Sequence, residues 1–451
     1  MKTLQNSGLT TGLVAALSLG MGLFLLSCLE GEDNTPESII EAEAEAEAEA
    51  EQNEQTDNEN TEEESTESGE ETEVVEELNC EEKTLDEVKQ DVLTTFSEFV
   101  VERTYESFAE VAGDLVAATE QWASTTSDED RGAAQEAWAA AIRVWQHAEV
   151  FQVGPAASSS DAAYGMDYRD YINAYPTKNH CWIDQTTVGD KYKDLEVLKT
   201  QKISMIGLDA MDKLLFTDAK GNDCGSKYSI NKNGTWSSFS DSEIVQARAD
   251  YAAALAMLIE ENANDLLDAW RNDFGPKLVA PGGDNEYFEN LQASLNAVSD
   301  SLFYMDKKVK DSKLAIPLGM KECPNEICPE EEEVPFSGLS LTMIRENMVG
   351  FKMVMMGVEA DEVTCDTAGW VDLLTAVGSE DLATTLIDDI DAAIAAIDAL
   401  DSTSVAELLE SNYEGLSAVY TDVQRVTTTL KGEFLTTLNL QIPQSAATDN
   451  D

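Results

Sequence analysis

Beyond Cys80, apolar residues recur three and four positions apart along almost the whole chain, and no run of strict alternation is long enough to mark a strand. The period predicts helices. The first opens at Thr84-Leu85-Asp86-Glu87, a capping-box pattern, and carries Leu85, Val88, Val92, Phe96, Phe99, Tyr105, Phe108, Val111 and Leu115 on one stripe. It is one very long helix or two in line. A second begins at Asp128 to Asp130, places Trp138 and Trp145 two turns apart, and ends at Gly154-Pro155. A looser region rich in Tyr, Asp and Pro covers Ser158 to about Val188, and a further helix is expected from roughly Asp194 to Phe216.

Asp218–Ser238, with three glycines and many polar residues, reads as a connection between halves. After it, Ile244, Tyr251, Leu255, Leu258, Leu266 and Trp270 mark a helix that Gly275-Pro276 should end, and another is expected over about Glu286 to Lys308. Ile344, Met348, Phe351 and Met355 form the next apolar face. Leu382 to Ile397 and Leu409 to Phe434 mark the last two long helices. The expected fold class is all-α, with two four-helix-bundle-like domains over 80–235 and 236–451, because some 370 residues exceed what one core usually serves.

The leading segment is different in kind. Lys2 precedes an uncharged apolar run from Leu9 to Ser27, which reads as a signal peptide over residues 1–27. Leu25-Leu26-Ser27-Cys28 resembles the bacterial lipobox, so Cys28 is expected to carry lipid and make the bilayer a partner. A single transmembrane helix is the lesser reading. Leu29 after the cysteine favours the outer membrane. Between Glu30 and Glu77 lie 22 acidic residues and no Lys or Arg, which marks residues 28–79 as a solvated tether.

Removing those 22 negative charges and the positive charge of Lys2 from the net −61 leaves −40 on residues 80–451, so nucleic acid is excluded as a partner. Six cysteines remain besides Cys28, an even number that suits three disulfides in an exported chain. Cys323 and Cys328 should close a small loop; the other pairings are open.

Candidate chemistry is sparse. The only histidines, His147 and His180, lie far apart, and no paired-histidine zinc motif, nucleophile elbow, P-loop or dinucleotide fingerprint is present. Carboxylates set in apolar helices do recur: Glu149, and Asp209 with Asp212 on one helix side. They could hold a hard cation through oxygen, or be solvated positions or partners of Lys and Arg. Met343, Met348, Met353, Met355 and Met356 read as core packing.

The order of three motifs resembles the imelysin-like family of bacterial envelope lipoproteins, which includes insulin-cleaving peptidases and iron-regulated proteins. They are the helix with Trp145, Glu149 and Phe151 leading to Gly154-Pro155, then Tyr171-Ile172-Asn173-Ala174-Tyr175-Pro176 with Ile183-Asp184, then Gly207-Leu208-Asp209-Ala210-Met211-Asp212. Lys313 to Gly319 and Phe336 to Leu341 with Ile344 and Asn347 resemble the second-domain pattern, and Leu438-Asn439-Leu440 followed by Asp449 to Asp451 is similar to the family's C-terminal acidic ending. The resemblance implies two helical bundles and a cleft lined by Trp145, Gly154, Pro155, Asp184, Gly207, Ser337 and Asn347. It also implies a departure: Asp209 stands where the peptidase motif has His, and Asp212 where it has Glu.

The expected function is therefore a non-enzymatic, membrane-tethered binding protein in iron or metal acquisition, with Glu149, Asp209 and Asp212 as ligands for Fe, Ca or Mn and iron-transport components as partners. A metallopeptidase and a purely structural surface lipoprotein are the rival expectations.

Overall fold

The computed structural model describes residues 80–160 and 164–443. The expected signal peptide, Cys28 and tether lie outside the described residues, as does the acidic ending.

Thr84 caps α1 (Leu85–Thr95) as the pattern predicts: its hydroxyl accepts from the Glu87 amide, and Glu87 accepts from the Thr84 amide at 2.7 Å. The rod runs on through a π-helical turn, Phe96–Glu102, into α2 (Arg103–Thr125). Thr126 adopts a left-handed conformation that ends it, and Ser127 caps α3 (Asp128–Glu149).

The looser region holds only short pieces: α4 (Tyr168–Ile172), α5 (His180–Thr187) and α6 (Leu195–Leu198). The helix expected over Asp194–Phe216 is interrupted. A 3₁₀ turn at Ile203–Met205 and an extended Ile206 precede α7 (Gly207–Phe216), whose first residue has φ +81°. A Cβ at Gly207 would meet the Ile172 carbonyl oxygen at 2.6 Å, so glycine is required where α7 starts against α4.

After α8 (Ser229–Lys232), Ser240 and Glu243 form a second capping box at α9 (Asp241–Ala269). Gly275-Pro276 does not end this rod. A π-helical turn, Trp270–Phe274, leads into α10 (Gly275–Val279), with the proline in the first turn, where a missing N–H costs little. α11 (Leu291–Leu302) starts later than expected, at its Asn290 cap, and is followed by a π-helical stretch, Met305–Ala315. Then come α12 (Ser340–Met356), α13 (Trp370–Ala376) and α14 (Glu380–Asp398). Asn412 splits the last expected helix into α15 (Val405–Ser411) and α16 (Tyr413–Thr429), and a π-helical turn joins α16 to α17 (Leu435–Thr437).

Among the described residues there is no β-strand, so the all-α expectation stands. α2, α3, α7 and α9 pack on one another; α12, α14, α16 and the Met305–Ala315 stretch form a second set; α3 against α12 joins them. The expected division at 235/236 does not fall at a break in packing. α9 begins beyond it yet lies along α2, and one apolar core runs from Val92 to Leu438. Trp122, Trp138, Trp145, Trp270 and Trp370 are fully buried in it. Each hides roughly 150–250 Å², worth up to about 4–6 kcal/mol at ~25 cal/mol per Å².

Cys323–Cys328 closes the expected loop, and the other pairs are Cys80–Cys365 and Cys181–Cys224. Among the described residues no helix is long and apolar enough to cross a membrane.

Candidate functional site

α3 and α12 touch at Gly350, where an added Cβ would meet His147 Cα at 2.7 Å. That approach brings Gln146 and Asn347 together: Asn347 Nδ2 donates to the Gln146 carbonyl (2.8 Å) and to its Oε1 (2.9 Å). Both accept from Lys313 Nζ, at 2.6 Å for Gln146 Oε1 and 2.8 Å for Asn347 Oδ1. The Lys313 ammonium is buried and pairs with Glu333 Oε2 at 2.7 Å and Glu149 Oε2 at 3.5 Å.

Glu149 lies at the last turn of α3, fully buried. Its Oε1 accepts from Trp145 Nε1 (3.1 Å) and Asn173 Nδ2 (2.8 Å), and its Oε2 accepts from the Tyr304 hydroxyl. Burial pushes its carboxyl up, but Lys313, Arg169 and the Tyr304 and Asn173 hydrogen bonds outweigh burial and hold it below the usual range. Glu333 Oε1 accepts from Gln146 Nε2 (3.2 Å) and Asn173 Nδ2 (3.3 Å). Two carboxylates and one ammonium thus form a buried, hydrogen-bonded knot. Losing one partner of such a pair costs about 3–5 kcal/mol, because a bare charge is left behind.

Asp209 and Asp212 on α7 are not solvated. They are 3% and 0% exposed. Asp212 accepts from the Phe336 and Ser337 amides at 3.0 and 2.9 Å. Burial still pushes it up to about 7, against those bonds and helped by Asp209. Asp209 is pushed up to about 6, first by burial; Lys178 opposes this, while Glu333 and Glu149 add to it. Asp209 Oδ1 is buried and has no hydrogen-bond partner.

Of the expected cleft residues, Trp145 and Asn347 belong to the knot and Ser337 caps Asp212. The others have different roles. Asp184 sits in its own cluster, accepting from the Asp223 amide (2.7 Å) beside Lys213 (3.4 Å) and Arg248 (3.9 Å). Gly207 turns the chain. Gly154, with φ +60°, lies against the Phe274 ring, and Pro155 is buried in a 3₁₀ turn.

Glu149, Asp209 and Asp212 do not form the expected metal cage. Among the described residues no group of three or more His, Cys, Asp or Glu is placed to hold a metal ion. The oxygens of Glu149 and Asp212 are already engaged, which leaves the single carboxylate of Asp209 where a hard cation such as Ca²⁺ takes about six to eight oxygens. A bare, resident Fe, Ca or Mn ion does not fit this donor set. The histidines supply no replacement. His147 Nε2 shares a 2.8 Å hydrogen bond with Glu346 Oε2. His180 lies against the Phe336 ring and is held down to about 4 by burial, Lys213 and Lys178.

Tyr304, Gln146 and Glu333 are site residues that sequence reasoning missed, and Asn173 and Lys313, which lie in the quoted motifs, were given no site role there. Glu333 closes the acidic run Glu330–Glu333, which looks solvated; the Val334-Pro335-Phe336 that follows was the available sign that the chain turns inward.

The pattern of the imelysin family matches residues 101–431 of this chain. No curated protein gives a significant match. An imelysin-like protein from Psychrobacter arcticum 273-4 is similar in structure, with TM-score 0.60 and 15% identity over 80% of this chain and 98% of that one. A protein described as a putative iron-regulated protein A precursor, from Parabacteroides distasonis ATCC 8503, gives TM-score 0.61 and 16% identity over 80% and 97%.

Proposed function

Because the chain belongs to the imelysin family, we propose that it is a non-catalytic, lipid-anchored binding protein of the bacterial envelope. Its cargo would be iron or another metal, seated at Asp209 of α7 beside Glu149 and Glu333. The observation that carries this reading is the unpartnered Asp209 Oδ1, buried in the negative field of Glu149 and Glu333; the family resemblance implies a histidine at this position. A single free carboxylate suits a cation that keeps most of its own ligands, as a hydrated or chelated ion does. The description of the Parabacteroides relative as iron-regulated points the same way. The lack of a histidine at Asp209 and the pairing of the other carboxylates count against water activation by a bound metal.

Calorimetry on residues 76–451 with Fe³⁺ as its citrate complex, Mn²⁺ and Ca²⁺ tests the seat. Asp209→Asn should remove the binding heat of whichever ion binds, and an unchanged heat in that variant sinks the reading. Anchoring is separable. Cys28→Ser in the full chain should abolish acyl incorporation and move the protein from the membrane to the soluble fraction.

A further inference from the structure

A second feature lies on the other side of the α3–α12 contact. Phe99 and Val100 of the π-helical turn, Val144 of α3, and Met353 and Met356 of α12 line a cavity of about 510 Å³. That is within the roughly 300–1,000 Å³ of small-molecule sites. π-helical turns inside α-helical rods gather at functional sites. The turn here places Phe99 in the wall and Arg103, one turn on, at the mouth.

Arg103 Nη1 donates to both oxygens of Glu362, at 2.7 and 2.9 Å, and its guanidinium lies 4.4 Å from the centre of the Phe99 ring. Glu362 comes from the loop after α12. A carboxylate on a guanidinium at the end of an apolar cavity is the arrangement an amphipathic acid would make, with Glu362 in the place of the ligand's head group. The pair is solvent-exposed, Arg103 47% and Glu362 38%. Such pairs contribute little, so exchanging one carboxylate for another is close to neutral. Burial of the apolar body then supplies the affinity.

We propose that this cavity binds a small amphipathic monocarboxylate, its chain against Phe99, Val144 and Met353 and its carboxylate on Arg103 in place of Glu362. The lining sets Arg103 and Lys352 against Glu359 and Glu362, and Lys352 also pairs with Asp391 at 2.6 Å.

Titration calorimetry on residues 76–451, which form one compact unit, would use dodecanoate, dodecylamine and dodecanol. One dodecanoate per chain should bind at least about tenfold more tightly than dodecylamine, whose ammonium would face Arg103, and in Glu362→Gln, where Arg103 has lost its carboxylate, it should also bind more tightly than dodecanol. Arg103→Gln should weaken dodecanoate binding by about tenfold and leave dodecanol unchanged. Glu362→Gln, which removes the competing carboxylate, should tighten it, and Val144→Trp should abolish binding of all three probes while the circular dichroism of the variant stays native. No dodecanoate binding, equal binding of the three probes, or insensitivity to Arg103→Gln would overturn the proposal. Weaker binding in Glu362→Gln would do the same.

Discussion

α3 and α12 build two unlike regions on either side of one contact. On one side Gln146 and Asn347 clamp Lys313 inside a knot closed to water; on the other, one residue along α3, His147 borders the apolar cavity. The knot draws its order from charge and hydrogen bonds that leave almost no group unpaired, so its geometry is rigid and its failure costly. The cavity has an apolar wall and an exposed ion pair, so it tolerates change. Asp209 stands between these regimes, buried like the knot but with its Oδ1 unspent.

The largest predicted effect falls in the knot. Lys313→Ala leaves Glu149 and Glu333 buried without their ammonium and should lower stability by about 3–5 kcal/mol in urea denaturation. A loss near that of a surface substitution would mean the knot is wet. Gly207→Ala tests the chain turn that delivers α7; its φ of +81° and the 2.6 Å approach to Ile172 predict a loss of roughly 2–3 kcal/mol.

Asp209→Asn should act in the opposite direction. A carboxyl raised to about 6 in the folded chain favours folding fully below its unfolded pKa, near 4, and loses that contribution as pH rises through 6. The variant should therefore be more stable than the parent by about 2–3 kcal/mol at pH 7, with the gain gone at pH 4. Denaturation across that range checks the sign; a gain largest at low pH contradicts it. The smallest effect is a control far from both regions: Thr84→Ala removes a cap and should cost about 1 kcal/mol.

Helix positions were legible because their signals are local. The Thr84 and Ser240 boxes and the 3.6-residue period need no tertiary knowledge. Where the reading failed, the cause was tertiary. Gly275-Pro276 looked like a stop but lies inside a rod, and Asp194–Phe216 looked continuous but is bent so that Gly207 can meet Ile172. The methionine stripe was half right: Met343, Met348 and Met355 are core, while Met353 and Met356 border the cavity.

The site was half legible for the same reason. Motif order picked out Glu149, Asp209, Asp212, Asn347 and the segment opened by Lys313, but not that Lys313 and Glu333 meet Glu149, which only the fold brings about. Without that meeting, three carboxylates suggest a metal cage. With it, two of them are already engaged.

The most direct test is cation binding to the parent chain and to Asp209→Asn at pH 7.5 and pH 5, with Fe³⁺ citrate, Mn²⁺ and Ca²⁺ as probes. The account predicts that the parent binds one of these at pH 7.5, that binding weakens at pH 5 as Asp209 takes up a proton, and that the variant binds at neither pH. Binding by Asp209→Asn equal to the parent's, or parental binding indifferent to pH, would contradict it.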